Sequence, residues 1–130
     1  MCKILVVEDH SDVRESMVMM AESFGHVTHS AADGEQAIRW LKRESELPCI
    51  VLLDLRMPGM DGWDFLAEMH REPKWSEIGV IVISAVVRRG GPNPVLKARA
   101  FWCKPPDEEK FQAIHLHCSQ HRDSWPTVSA

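Results

Sequence analysis

The stretch Cys49–Gly62, Cys-Ile-Val-Leu-Leu-Asp-Leu-Arg-Met-Pro-Gly-Met-Asp-Gly, constrains the chain more than any other. Ile50 to Leu53 is a short, unbroken, branched apolar run, with Pro48 just upstream. Such a run suits a strand buried on both faces of a parallel sheet. It closes on a carboxylate, Asp54, and a charge at the end of a buried strand is costly unless it is used. Met57-Pro58-Gly59 then breaks the chain: Pro58 bars Met57 from the helical region and Gly59 can take positive φ. Asp61 is a suitable cap for a helix starting near Gly62. Asp54 therefore stands at the carboxyl edge of a strand, where open α/β sheets bind their ligands.

Three other polar positions also close apolar runs. Glu8-Asp9 follow Ile4–Val7, Ser84 follows Val80–Ile83, and Lys104 follows Ala100–Cys103 and precedes Pro105. In a parallel sheet all four positions meet at one edge. Between the runs lie helical patterns. Val13, Met17, Met20, Ala21 and Phe24 share a face of a helix expected from Ser11 or Asp12 to Phe24, with Gly25 closing it. Val27–Ser30 is less apolar and reads as an edge strand. Asp33 caps a second helix with Ala37, Ile38 and Leu41 inward and Trp40 to the side, before a polar connection from Lys42 to Pro48. Phe65, Leu66 and Met69 line a third helix, from Asp61 to about His70, and Pro73 ends it. Asp107 caps a last helix whose apolar side is Phe111, Ile114, His115 and Cys118. Strands alternating with helices imply a doubly wound α/β domain.

A length of 130 residues implies one domain, here residues 1–120 followed by a tail at 121–130. The net charge of −4 argues against bulk nucleic-acid binding. The start of the chain is too short and too soon acidic for a signal peptide, and no run approaches a membrane span. Cys2, Cys49, Cys103 and Cys118 show no metal-type or paired spacing, and Cys49 and Cys103 read as buried free thiols in a reducing cytoplasm. His115 and His117 cannot aim at one point from one helix, and His117 and His121 could chelate a metal only adventitiously.

Taken together, Val6-Val7-Glu8-Asp9, Asp33-Gly34, Leu53-Asp54-Leu55, Met57 to Gly62, Ser84-Ala85 and Lys104-Pro105 resemble the receiver domain of response regulators, the CheY-like family, over residues 3–118. The resemblance implies a five-stranded parallel sheet in the flavodoxin-like order 2-1-3-4-5 with helices on both faces. It also implies a stand-alone cytoplasmic phosphoprotein of a two-component or phosphorelay system rather than an enzyme in its own right. A histidine kinase or histidine phosphotransfer protein would pass a phosphoryl group to Asp54. Mg²⁺ would be held by Asp9, Asp54 and the backbone carbonyl of Arg56, with Glu8 acting through water. Lys104, Ser84 and the backbone N–H groups of Leu55 and Ala85 would receive the phosphoryl oxygens.

Arg56, two residues after the acceptor, reads either as a guanidinium that lengthens the lifetime of the phosphoryl group or as a solvated arginine. Phe101 sits where relatives carry a switching aromatic, and the adjacent Arg88, Arg89, Lys97 and Arg99 read either as a basic output face for a downstream protein or a second receiver or as a solvated basic loop. No direct contact with nucleic acid or membrane is implied. Residues 86–99 depart from the family pattern: Arg88-Arg89-Gly90-Gly91-Pro92-Asn93-Pro94 leaves room only for a short helix from Asn93 to about Arg99. A degenerate receiver, acting only as an interaction module, would usually have lost one of the acidic, Ser/Thr or Lys groups, and none is lost. A haloacid-dehalogenase-like phosphatase needs a second Asp where Arg56 stands. A flavodoxin-like carrier needs a phosphate loop where Glu8-Asp9-His10 stands.

Overall fold

The computed structural model describes residues 3–55, 59–84, 100–103, 109 and 111–114. The strands are β1 (Lys3–Val7), β2 (Val27–Ala31), β3 (Ile50–Asp54), β4 (Gly79–Ser84) and β5 (Ala100–Cys103). The helices are α1 (Ser11–Ser23), α2 (Gly34–Arg43) and α3 (Gly62–Arg71), and a 3₁₀ turn follows at Pro73–Trp75. All strand pairs are parallel and the sheet order is β2-β1-β3-β4-β5. The doubly wound order and the edge position of β2 are as the sequence implies.

Strand alternation divides the core into two layers. Leu5, Val7, Val51, Leu53, Val80 and Val82 face α2, α3 and the 3₁₀ turn, where they meet Leu41, Phe65, Leu66 and Trp75. Ile4, Val6, Ile50, Leu52, Ile81 and Ile83 face the other way, onto Met17 and Ala21 of α1 and onto Phe111 and Ile114. Residues 111–114 are helical, and Phe111 and Ile114 are buried as their spacing implies. Among the described residues no helix is long and apolar enough to cross a membrane.

Local signals set the boundaries. Asp33 Oδ1 accepts from Gln36 N at 2.8 Å and starts α2, and Asp61 Oδ1 accepts from Asp64 N at 2.9 Å and starts α3. Gly25, at φ +87°, closes α1. Two expectations need correction. Trp40 does not lie to the side: it is buried in the core and stacks against His29 of β2, with centroids 4.3 Å apart and planes 8° apart. An edge strand leaves room for that ring, so α2 turns a wider apolar face inward. Cys49 is only half-buried, because it precedes β3. Pro73 ends α3 as expected, and beyond it Glu72 accepts from Lys74 N at 3.2 Å and a 3₁₀ turn begins, which buries Trp75. The segment 86–99, the first residues of the last helix and the tail 121–130 lie outside the described residues.

Candidate functional site

The register brings the strand ends to one level. Val7 pairs with Leu53, so Glu8 emerges beside Asp54. Asp54 pairs with Ile83, and the next residue, Ser84, pairs with Cys103, directly before Lys104. The side-chain rows explain the aim. Asp54 continues the row of Ile50 and Leu52, and Glu8 follows that of Ile4 and Val6, so both start on the α1 side of the sheet. Carboxylate oxygens of Glu8, Asp9 and Asp54 all lie within 4.8 Å of one another. Glu8 is 0% and Asp54 4% exposed, whereas Asp9 is exposed.

The loop that carries Glu8 and Asp9 is held from α1. Arg14 Nη1 donates to the carbonyl oxygen of Glu8 at 2.8 Å and to that of Asp9 at 3.3 Å. The backbone N–H of His10 donates to Glu8 Oε2 at 3.3 Å, and that of Glu8 to the Ala31 carbonyl at 3.1 Å. The sequence reading passed over Arg14. Its signal was a basic residue about one turn into the helix that follows an acidic pair, within reach of the loop carbonyls.

On the other side, Gly59 takes φ +71°, as its place after Pro58 requires, and lets the chain turn back. Gly62 N then donates to Leu55 O at 3.0 Å. A Cβ at Gly62 would lie 2.6 Å from both Asp54 O and Leu55 Cα. The start of α3 is thus packed directly on the backbone that carries Asp54.

The structure brings together Glu8, Asp9 and Asp54, and sets Leu55 beside them. Ser84 ends β4 at the same edge, and Phe101 lies in β5 opposite Val82. Arg56, Ala85, Arg88, Arg89 and Lys104 lie outside the described residues. Three carboxylates in one small volume, two of them buried, make an all-oxygen, strongly anionic donor set. Hard divalent cations take such ligands, and a cation would offset the cost of the buried charges. The residues present fit Mg²⁺.

Fold and site define a doubly wound α/β domain with a carboxylate cluster at the carboxyl edge of its sheet. The family model for the response regulator receiver domain matches residues 4–114. The chain belongs to that family. It is 37% identical over 84 residues to a probable transcriptional regulator, ycf27, of Porphyridium aerugineum, covering 65% of this chain and 33% of that protein. It therefore spans about a third of that relative's length. Among solved structures, the chemotaxis protein CheY4 of Vibrio cholerae superposes with a TM-score of 0.78 at 19% identity, covering 90% of this chain and 98% of that one. The receiver domain of a sensor histidine kinase from Pseudomonas aeruginosa, with magnesium in its active-site cleft, gives 0.76 at 24% identity over 89% and 95% of the two chains. At these identities the two structures speak for the fold.

Proposed function

We propose that this receiver domain accepts a phosphoryl group on Asp54 from a phosphohistidine of a histidine kinase or phosphotransfer protein. The observation that carries the reading is the buried Asp54 at the end of the central strand, with Glu8 and Asp9 within 4.8 Å. A carboxylate oxygen of Asp54 attacks phosphorus as the P–N bond of the donor imidazole breaks, so the imidazole leaves with that electron pair. Asp9, Asp54 and the Arg56 carbonyl would hold Mg²⁺, with Glu8 acting through water. The ion supplies charge neutralisation at the phosphoryl oxygens. Glu8 and Asp9 keep their places because Arg14 and His10 N–H hold the loop between them. Ser84, Lys104 and the N–H groups of Leu55 and Ala85 would receive the phosphoryl oxygens, and Arg56 would shield them from water. The signal would leave through Phe101 and the basic residues Arg88 and Arg89, toward a downstream protein or a second receiver.

The test is incubation with a small phosphodonor such as acetyl phosphate and Mg²⁺, followed by peptide mapping. The expected result is a chelator-sensitive modification at Asp54, absent in Asp54→Asn. No modification under any divalent cation would instead make the chain a degenerate receiver that acts by binding alone.

A further inference from the structure

β2 ends the sheet and pairs with β1 alone among the described strands. One hydrogen bond orients its free margin. Ala31 O accepts from Glu8 N at 3.1 Å, so the peptide groups of Ala31 face β1. Alternation along the strand turns those of His29 toward β1 as well, and those of Thr28 and Ser30 outward. Proteins commonly blunt such margins with Lys, Pro or inward-pointing charge. Val-Thr-His-Ser-Ala has no Lys, Pro or acidic residue, and Val27 is 51% exposed.

A cavity of about 390 Å³ opens beside this margin, lined by His29, Ser30, Gln36, Arg39, Trp40 and Arg43. Its chemistry is one-sided. Arg39 and Arg43 stand one turn apart on α2, both exposed, and neither forms an ion pair among the described residues. Gln36 Oε1 already accepts from Ala32 N at 3.1 Å, which leaves its amide N–H groups as donors. His29 is stacked on Trp40 at the cavity wall, with ring centroids 4.3 Å apart, and Lys3 Nζ lies 5.6 Å from the Trp40 ring. Glu44, the nearby acid, is engaged by Lys3 at 3.5 Å. On a chain of net charge −4, this is a concave patch of donors and cations. Its polar lining does not suit an apolar small molecule.

We propose that this edge docks an extended segment of a partner protein that carries acidic residues at every second position. The segment adds a strand to β2 by main-chain hydrogen bonds at Thr28 and Ser30. Its alternate side chains fall on the side where His29 and Ala31 point, which is the side of α2. Residues two apart on a strand are about 7 Å apart, and one helical turn rises about 5.4 Å, so successive carboxylates reach Arg39 and Arg43. Guanidinium groups suit this role because they grip carboxylates bidentately. A lone oxyanion would use the arginines and leave the strand margin idle. The proposal does not depend on phosphorylation of Asp54.

The experiment uses the full chain and a fluorescein-labelled ten-residue peptide with Asp or Glu alternating with Thr and Val, read by anisotropy at low ionic strength. Arg39→Glu/Arg43→Glu should weaken binding by about tenfold or more and create affinity for the peptide with Lys in place of the acids. N-methylation of the peptide's alternate nitrogens, in one of the two registers, should weaken binding comparably. So should Ser30→Pro, which removes an outward N–H; if that variant misfolds by circular dichroism, the N-methylated peptides carry the test alone. The proposal is overturned if a peptide of the same composition with its acids in one block binds equally well. It is also overturned if the double variant binds unchanged, if neither N-methylated register matters, or if inorganic phosphate displaces the peptide at equimolar concentration.

Discussion

Replacing Gly62 by alanine tests whether the site is braced by the packing of α3 on β3. Gly62 is the first residue of α3, so intrinsic helix preference alone would favour alanine by up to about 0.5–1 kcal/mol. The structure predicts the opposite sign. The added Cβ would meet Asp54 O and Leu55 Cα at 2.6 Å and Leu55 Cδ2 at 2.9 Å, where ordinary contact begins at 3.4 Å. Two of these neighbours are backbone atoms, so the clash cannot be relieved by rotating a side chain. Overpacking costs about 1–3 kcal/mol, and with backbone atoms on two sides about 2–3 kcal/mol, which leaves a net loss of roughly 1–2.5 kcal/mol. For a domain of this size that lowers the urea midpoint by about 0.5–1 M at an unchanged slope. Equilibrium unfolding followed by tryptophan fluorescence measures it. The shift should come with weaker Mg²⁺ binding, because the displaced atoms carry Asp54. Ala67→Gly, at an exposed position of the same helix, is the control and should lose about 0.5–1 kcal/mol with Mg²⁺ binding intact. A Gly62→Ala protein as stable as wild type, with equal Mg²⁺ affinity, would refute the bracing argument.

Three further outcomes follow from the same structure. Mg²⁺ at a hundredfold its dissociation constant should raise unfolding stability by about 2.7 kcal/mol, and Asp9→Asn should remove most of that gain; an undiminished gain would place the ion elsewhere. Asp33→Ala should cost about 1 kcal/mol and Asp33→Ser much less, because the side chain caps Gln36 N; equal losses in thermal denaturation would deny the cap its role. Burial holds His29 below its ordinary value of 6.5, aided by Arg43 and Lys3 and opposed by Glu44. The unfolded chain then binds the proton more readily, so this contribution to stability is complete above pH 6.5 and declines as pH falls through the folded value. His29→Asn should flatten the urea midpoint between pH 7 and 5, and an unchanged slope would assign the effect to other groups.

Most of the fold was legible because its signals are local. Apolar runs ending in polar residues marked four of the five strands, Asp33 and Asp61 marked two helix starts, and Gly25 marked a helix end. The acidic cluster was legible too, since parallel strands of similar length deliver their carboxyl ends to one edge. Trp40 was misplaced because helical periodicity ranks faces by the apolar residues on the helix itself, whereas its burial depends on His29 from another strand. Arg14 was missed because it bonds to carbonyl oxygens, which every residue has and no motif displays.

The sequence alone determined the order of elements, the parallel sheet and the four polar positions that end its strands. Hydrophobic period and backbone chemistry act over a few residues and need no partner to be read. Only the tertiary structure decided how far each charge is hidden, with Glu8 and Asp54 buried and Asp9 exposed. It also decided that Gly62 is required by the backbone of Asp54 and Leu55, and that Arg39, Arg43 and His29 share one cavity beside β2, the end strand of the described sheet. These facts join residues from separate elements, and their distances depend on the register and packing of the whole sheet, which no local pattern encodes.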